Sequence, residues 1–363
     1  MTDLDPVPVP VSVGRPPSSA EEAASWAEEV PPVPLDVVAV GSPLVDVLAH
    51  AADADLAAVE LVKGSMALVD LDRAASIYGG MAPATEVSGG SAANTAAGVA
   101  ALGGRAGFVG LFADDEMGEV FRHDITAAGV ILGRTTPAPS AEGLGTGRCL
   151  VLVTPDGERT MATYLGAAST LGPDQLDVDL VGRGQIVYLE GYLWDLGPAK
   201  AALRVAVEVA HGSDALVALT VSDPFCVERH RKEFLELLQE DVDVLFANEE
   251  EIISLFGSSS FDAALGALEE TGLLAAVTRG AAGSVVLTAA GTVEIPAQPV
   301  DKVVDTTGAG DLYAAGFLYG LTNGLGPEES GRLGGLCAAE VISHLGARPQ
   351  VDLRELAREA GIL

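Results

Sequence analysis

Two glycine-rich stretches of this chain carry residues that could do chemistry. In "VVDTTGAGDLYAAGFLYG", Val303 to Gly320, an apolar run stops at Asp305, Thr306 and Thr307, passes through Gly308, Ala309 and Gly310, and resumes after Asp311 as a helix of small residues. Glycines in such a turn let backbone N–H groups approach an anion, and the helix start that follows offers partial positive charge. A carboxylate inside an anion-binding loop is out of place unless the chemistry needs it. Accepting the proton of a hydroxyl that attacks a phosphoryl group is such a need, which makes Asp311 a candidate general base. In "SGGSAANTAAGVAALGG", Ser88 to Gly104, Gly89 and Gly90 close a turn before a helix beginning near Asn94. The backbone can then approach a small polyol, with Ser91 and Asn94 bonding its hydroxyls.

Plainer readings compete with each stretch. Asp311 could sit in the first turn of an ordinary capped helix, and the Ser88 stretch could be a glycine-rich helix start with alanine packing. Other motifs fit less well. "GAGDLY" lacks the third glycine of a dinucleotide-binding loop, "KGS" at Lys63–Ser65 has the wrong order for a P-loop, and "DTTG" has no second copy to make an aspartic-protease pair.

The elements that must position these residues follow an alternating pattern. Short β-branched runs such as "QIVYLEG", "ALVALTVSD", "VDVLFAN" and "LAAVTRG" are separated by helical stretches including Ala199–His211 and Glu228–Leu238. That rhythm predicts an α/β fold, doubly wound, with a mostly parallel sheet flanked by helices. Ligands of such sheets bind at the carboxyl ends of the strands, where stretches such as Gly41–Asp46, Asn248–Glu251, Thr278–Gly283 and Asp305–Asp311 are expected to fall. The rhythm breaks over about 45–86 and in "GTGRCLVLVTPDGERTMATYLG", where Asp156-Gly157 supplies a hairpin turn, so strands from 45–86 and 145–166 are expected to form a small β-lid. Residues 1–34 hold eight of the 20 prolines and no apolar period, so they read as a disordered extension, with a short helix allowed over Ala20–Glu29, ahead of one domain over 35–363.

Composition narrows the function further. The 52 acidic and 20 basic residues give a formal net charge of −32, which would repel nucleic acid and anionic membranes. Cys149, Cys226 and Cys337 are far apart and have no metal-ligand spacing, pointing to a reducing cytoplasm and away from structural zinc. No apolar run approaches the roughly 18 residues of a membrane span, and the acidic start does not read as a signal peptide.

Taken together, "GGSAANTAAGVAALGG" and "DTTGAGDLYAAGF" resemble the two signatures of the ribokinase-like (PfkB) family of carbohydrate and nucleoside kinases, with a likeness running from Leu35 to Val351. Within it, "GSPLVDVLA", "VYLEGYLWD", "LTVSDPFCVERHR" and "VDVLFANEEEIISLF" look most like the adenosine kinases. The resemblance implies transfer of the ATP γ-phosphoryl group to a primary hydroxyl, the 5′-OH of adenosine in purine salvage, with a ribose or fructose kinase as the alternative and a non-catalytic nucleoside- or sugar-binding protein as a third reading. It implies Asp311 as base, Gly308, Ala309 and Gly310 as anion hole, and Arg159 over the phosphates. Asp46, Gly89, Gly90, Ser91 and Asn94 match the ribose pocket, with Ser42 where these kinases usually carry Asn. The base would fall near Tyr192 and Leu193, in an apolar slot that Trp194 and Phe225 could also line. Thr278, Arg279, Gly280 and Gly283 match the triphosphate loop, with Asn248 beside it. Glu251 would hold Mg²⁺ through water, although Asn248 and Glu251 also fit a helix cap. A monovalent cation such as K⁺ near the Asp305 loop, and a monomer or homodimer, both stay open.

Overall fold

The computed structural model describes residues 33–134 and 143–363. The expected extension falls almost wholly outside the described residues. Among the described residues the chain builds two sheets. The larger has nine strands in the order β14-β13-β12-β11-β10-β9-β1-β5-β6. These are β1 (Leu35–Val40), β5 (Ala106–Val109), β6 (Ile131–Leu132), β9 (Gly184–Glu190), β10 (Leu216–Thr220), β11 (Val244–Asn248), β12 (Leu274–Thr278), β13 (Ser284–Thr288) and β14 (Gly291–Ile295). From β6 to β12 every pairing is parallel, and β13 and β14 add an antiparallel edge. The expected doubly wound sheet is therefore present.

Both faces of this sheet are apolar in its middle, where the strands feed two cores. Along β1, Val38 and Val40 enter one core while Val37 and Ala39 enter the other. Helices Gly197–Gly212, Pro224–Glu240, Glu249–Phe256 and Phe261–Glu269 cover the first face. Helices Ser91–Ala101, Glu116–Ala127, Ala309–Thr322 and Pro327–Val341 cover the second. The Ser91 and Ala309 helices touch through small residues: a Cβ placed on Gly98 would lie 2.6 Å from Ala315 Cβ and 2.8 Å from Leu312 Cδ1. This close approach brings the two signature stretches side by side.

The second sheet has the order β3-β8-β7-β2-β4, made of β2 (Leu44–His50), β3 (Met66–Leu68), β4 (Thr85–Gly89), β7 (Gly147–Val153) and β8 (Arg159–Tyr164). β7 and β8 are antiparallel neighbours across a turn with Gly157 at φ +82°. Alternation divides its faces. Val47, Leu150, Leu152, Ala162 and Tyr164 pack with Leu56, Ala74 and Ile77 of the helices Asp53–Ala58 and Leu71–Gly80. On the opposite face Asp46 pairs in register with Cys149, which pairs in turn with Thr163, and these three residues line a cavity. No helix among the described residues is long and apolar enough to cross a membrane.

Candidate functional site

A cavity of about 520 Å³ lies between the carboxyl edge of the large sheet and the second sheet, a volume suited to a small ligand. It sits where the strand order reverses, since β1 continues to β5 on one side and β9 lies on the other.

At one end stand the residues expected to hold a polyol. Asp46, only 6 % exposed, comes from β2, and Gly89 packs so closely on its carboxylate that a Cβ would fall 2.2 Å from it. Gly90 caps the Ser91 helix at φ +95°, and a Cβ there would meet the Ser42 carbonyl oxygen at 2.1 Å, so only glycine fits this turn. Burial pushes the Asp46 carboxyl up to about 7, with Asp311 and Asp305 adding to the rise and Arg348 and Arg159 opposing it. Asn94 Oδ1 is buried with no hydrogen-bond partner among the described residues, and the buried Ser42 hydroxyl lies beside the Glu190 carboxylate. Buried polar atoms ordinarily find partners, and a ligand hydroxyl would provide one here.

Asp311 occupies the first turn of the Ala309–Thr322 helix. Ser91 Oγ donates to its Oδ1 at 2.7 Å, Asn94 Nδ2 donates to its Oδ2 at 2.9 Å, and Thr95 Oγ1 donates to its backbone oxygen at 3.2 Å. Its pKa is raised, chiefly by burial, against the lowering effect of Asn94, Ser91, Arg159 and Arg348. A carboxylate fixed by two donors, with raised basicity, is chemically suited to take a proton.

The turn before it is rigid. Asp305 is fully buried and accepts from Thr307 N (2.9 Å), Thr307 Oγ1 (2.6 Å) and Gly346 N (2.9 Å). Gly308 adopts φ +77° against Ala347, where a Cβ would come within 2.6 Å of the alanine methyl. Ala309 N donates back to Thr306 O at 3.3 Å, while the N–H groups of Gly308, Gly310 and Asp311 have no acceptor among the described residues and are available to an anion.

The far end is built from Asn248, Glu251, Thr278, Gly280 and Gly283, all lining the cavity, while Arg159 reaches in from β8. Asn248 and Glu251 form a reciprocal cap: Glu251 N donates to Asn248 Oδ1 at 2.9 Å, and Asn248 N and Nδ2 donate to the two Glu251 oxygens at 2.9 and 2.6 Å. Burial pushes Glu251 up to about 7. No group of three metal-ligating side chains occurs among the described residues. Both Glu251 oxygens are engaged by Asn248, so these residues do not fit an all-protein metal cage and would meet a metal ion only through water.

Four expected residues lie elsewhere. Leu193 is fully buried in the first core beside Trp194, because the short turn Gly191–Asp195 swings both toward Phe234 and the neighbouring helices; Tyr192 and Asp195 of that turn line the cavity. Phe225 is exposed and also outside the cavity. Arg279 is turned away as well, its Nε bonded to Glu249 at 3.0 Å and its guanidinium 4.0 Å over the Phe261 ring. The apolar wall comes instead from the second sheet, through Leu44, Met66, Leu68, Cys149 and Met161.

Two residues at the site were not anticipated. Glu190, 1 % exposed at the end of β9, accepts from Ser42 N (3.4 Å) and Ala92 N (3.0 Å), tying the loop after β1 to the Ser91 helix. Its one sequence signal is a charge closing the apolar run "QIVYLEG". Arg348 approaches the same helix from the C-terminal loop, and nothing local marks it.

Comparison with known proteins gives one consistent result. A family model described as pfkB family carbohydrate kinase matches residues 76–353. The chain is 31 % identical over 332 residues to adenosine kinase from Saccharomyces cerevisiae, covering 85 % of this chain and 95 % of that protein. Among solved structures, it is similar to adenosine kinase from Sinorhizobium meliloti (47 % identity, TM-score 0.86, covering 90 % of this chain and all of the other). A probable sugar kinase from Rhizobium etli shows 43 % identity and a TM-score of 0.88, covering 91 % of this chain and all of the other.

Proposed function

The chain belongs to the pfkB family of carbohydrate kinases, and from that premise we propose that its acceptor is a nucleoside, adenosine, phosphorylated on its 5′-hydroxyl. Membership makes it a phosphotransferase acting on an alcohol, with ATP as donor. The observation that carries the choice of acceptor is the apolar wall of Leu44, Met66, Leu68, Cys149 and Met161 next to the polar pocket of Asp46, Ser42 and Asn94. A bare sugar would leave that wall facing water, whereas a base covers it while its ribose meets the polar end.

In this reading Asp46 accepts from two vicinal ribose hydroxyls, and Asn94 Oδ1 gains the partner it lacks. The 5′-hydroxyl then lies against Asp311, which takes its proton as the oxygen attacks phosphorus. The Gly310 and Asp311 amides and Arg159 stabilise the charge on the transferring group. Magnesium, when bound with the nucleotide near Asn248 and Glu251, supplies charge neutralisation of the phosphates. With a net charge of −32 the protein's overall field repels a nucleotide, so these local groups carry its attraction. Closure of the β7–β8 hairpin as a lid would exclude water from the transfer.

The test is an ADP-release assay with adenosine, inosine, ribose and fructose 6-phosphate as acceptors. Adenosine is expected to show the highest kcat/KM. Turnover of ribose or fructose 6-phosphate that matches adenosine would replace the nucleoside reading with the sugar reading.

A further inference from the structure

Arg348 lies in the loop that follows helix Pro327–Val341, remote in sequence from both signature stretches. All three of its nitrogens are engaged: Nη1 donates to Ala93 O at 2.8 Å, Nη2 to Ser88 Oγ at 3.2 Å, and Nε to Ser88 O at 3.4 Å. These acceptors bracket Gly89, Gly90, Ser91 and Ala92, the turn that faces Asp46 and starts the helix bearing Asn94. The preceding two residues of the same loop grip the other stretch, since Gly346 N donates to Asp305 and Ala347 packs on Gly308. One short segment, residues 346–348, therefore fastens both halves of the site.

We propose that Arg348 is a positioning residue of the phosphoryl-transfer site, clamping the acceptor turn from behind and supplying a fixed positive charge shared by Asp46 and Asp311. A guanidinium suits both tasks, because its planar fork reaches several oxygens at once and it stays charged where a more readily deprotonated amine would not. Arg348 interacts with Asp46 from β2, Asp311 from the Ala309 helix and Asp124 from the Glu116 helix, and burial lowers its pKa only to about 10, so it remains a cation. Asp311 in turn faces Ser91 and Asn94 from the Ser91 helix, Arg159 from β8, and Tyr188 and Glu190 from β9. Arg159 and Arg348 are the cations near Asp311, and of the two Arg348 is anchored by three hydrogen bonds spanning the turn from β4 to the Ser91 helix.

The kinetic part of this inference rests on the kinase reading, so the primary measurement does not depend on the acceptor. The carboxyl of Asp311 is titrated by carbon-13 NMR in the wild-type protein, R348Q and R348K, its signal identified by its loss in D311N. Removing the cation in R348Q is expected to raise the Asp311 pKa by about one unit, and R348K is expected to hold it near the wild-type value. R348K, which lacks the fork, should instead raise the acceptor KM about 10-fold with a smaller change in kcat. An unchanged Asp311 titration in folded R348Q, or an equal shift in both variants, overturns the shared-charge role. If R348Q does not fold, R348K decides: an unaltered acceptor KM overturns the clamp. A wild-type protein that phosphorylates sugars but not adenosine would sink the nucleoside reading alone, and the KM comparison would then use the accepted sugar.

Discussion

Asn94 donates its amide nitrogen to Asp311 Oδ2 at 2.9 Å and keeps its own Oδ1 buried without a partner. One side chain thus orients the base with one end and offers an acceptor to a ligand hydroxyl with the other. The parts of the site can be tested separately.

Removing the base without changing its shape isolates the chemical step. Asp311→Asn is expected to cut kcat by about 10²–10⁴-fold while adenosine still binds. Steady-state turnover and calorimetric titration together check this; near-normal turnover would take Asp311 out of the role.

Asp46 should act on binding. Asp46→Asn trades a carboxylate that can accept from two hydroxyls for an amide that can accept at only one end. The expected result is an acceptor KM raised about 10–100-fold, with kcat changed far less. A loss confined to kcat would contradict the assignment.

The apolar wall predicts a selective effect. Met66→Ala or Met161→Ala should lower kcat/KM for adenosine about 10-fold each and leave ribose turnover unaffected. Competition between the two acceptors in one assay reads the ratio directly, and equal losses for both would contradict the placement of the base.

Acidity should change stability in a defined direction. Burial holds Asp46, Glu190 and Glu251 up to about 7, well above ordinary carboxyl values near 4. Across roughly pH 4–7 the folded protein therefore binds more protons than the unfolded chain. The stability these groups contribute is complete below about pH 4 and is lost as pH rises through 7. Asp115 and Asp195 are held low by hydrogen-bond donors and work the opposite way, losing their contribution in stronger acid. The ligand-free protein is expected to have a higher Tm near pH 5.5 than near pH 8. Thermal melts across that range test it, and a Tm that climbed toward pH 8 would refute the burial argument.

The legible parts of this molecule were those whose partners are close in sequence or fixed by strand periodicity. The succession of β-branched runs, β9, β10, β11 and β12 among them, separated by helical stretches marked the parallel sheet, and the spacing of Gly308 to Asp311 marked a helix start. Leu193 and Arg279 were misplaced for a physical reason: in a short turn, side-chain direction depends on what packs nearby, and Phe234 and Phe261 decide it. Glu190 and Arg348 were hidden because their hydrogen-bond partners lie far along the chain, 98 residues away for Ala92 and 260 for Ser88. A single sequence carries no trace of such pairings.

The contact between Gly98 and Ala315 sets a ruler for the reaction. Each lies one helical turn beyond a residue of the Asn94–Asp311 hydrogen bond, so the spacing of two helix axes fixes the reach from Asn94 to Asp311. A single added methyl at position 98 would line no part of the cavity, yet it would wedge those axes apart and stretch that bond. The span between the two signature stretches is thus written in the absence of a side chain.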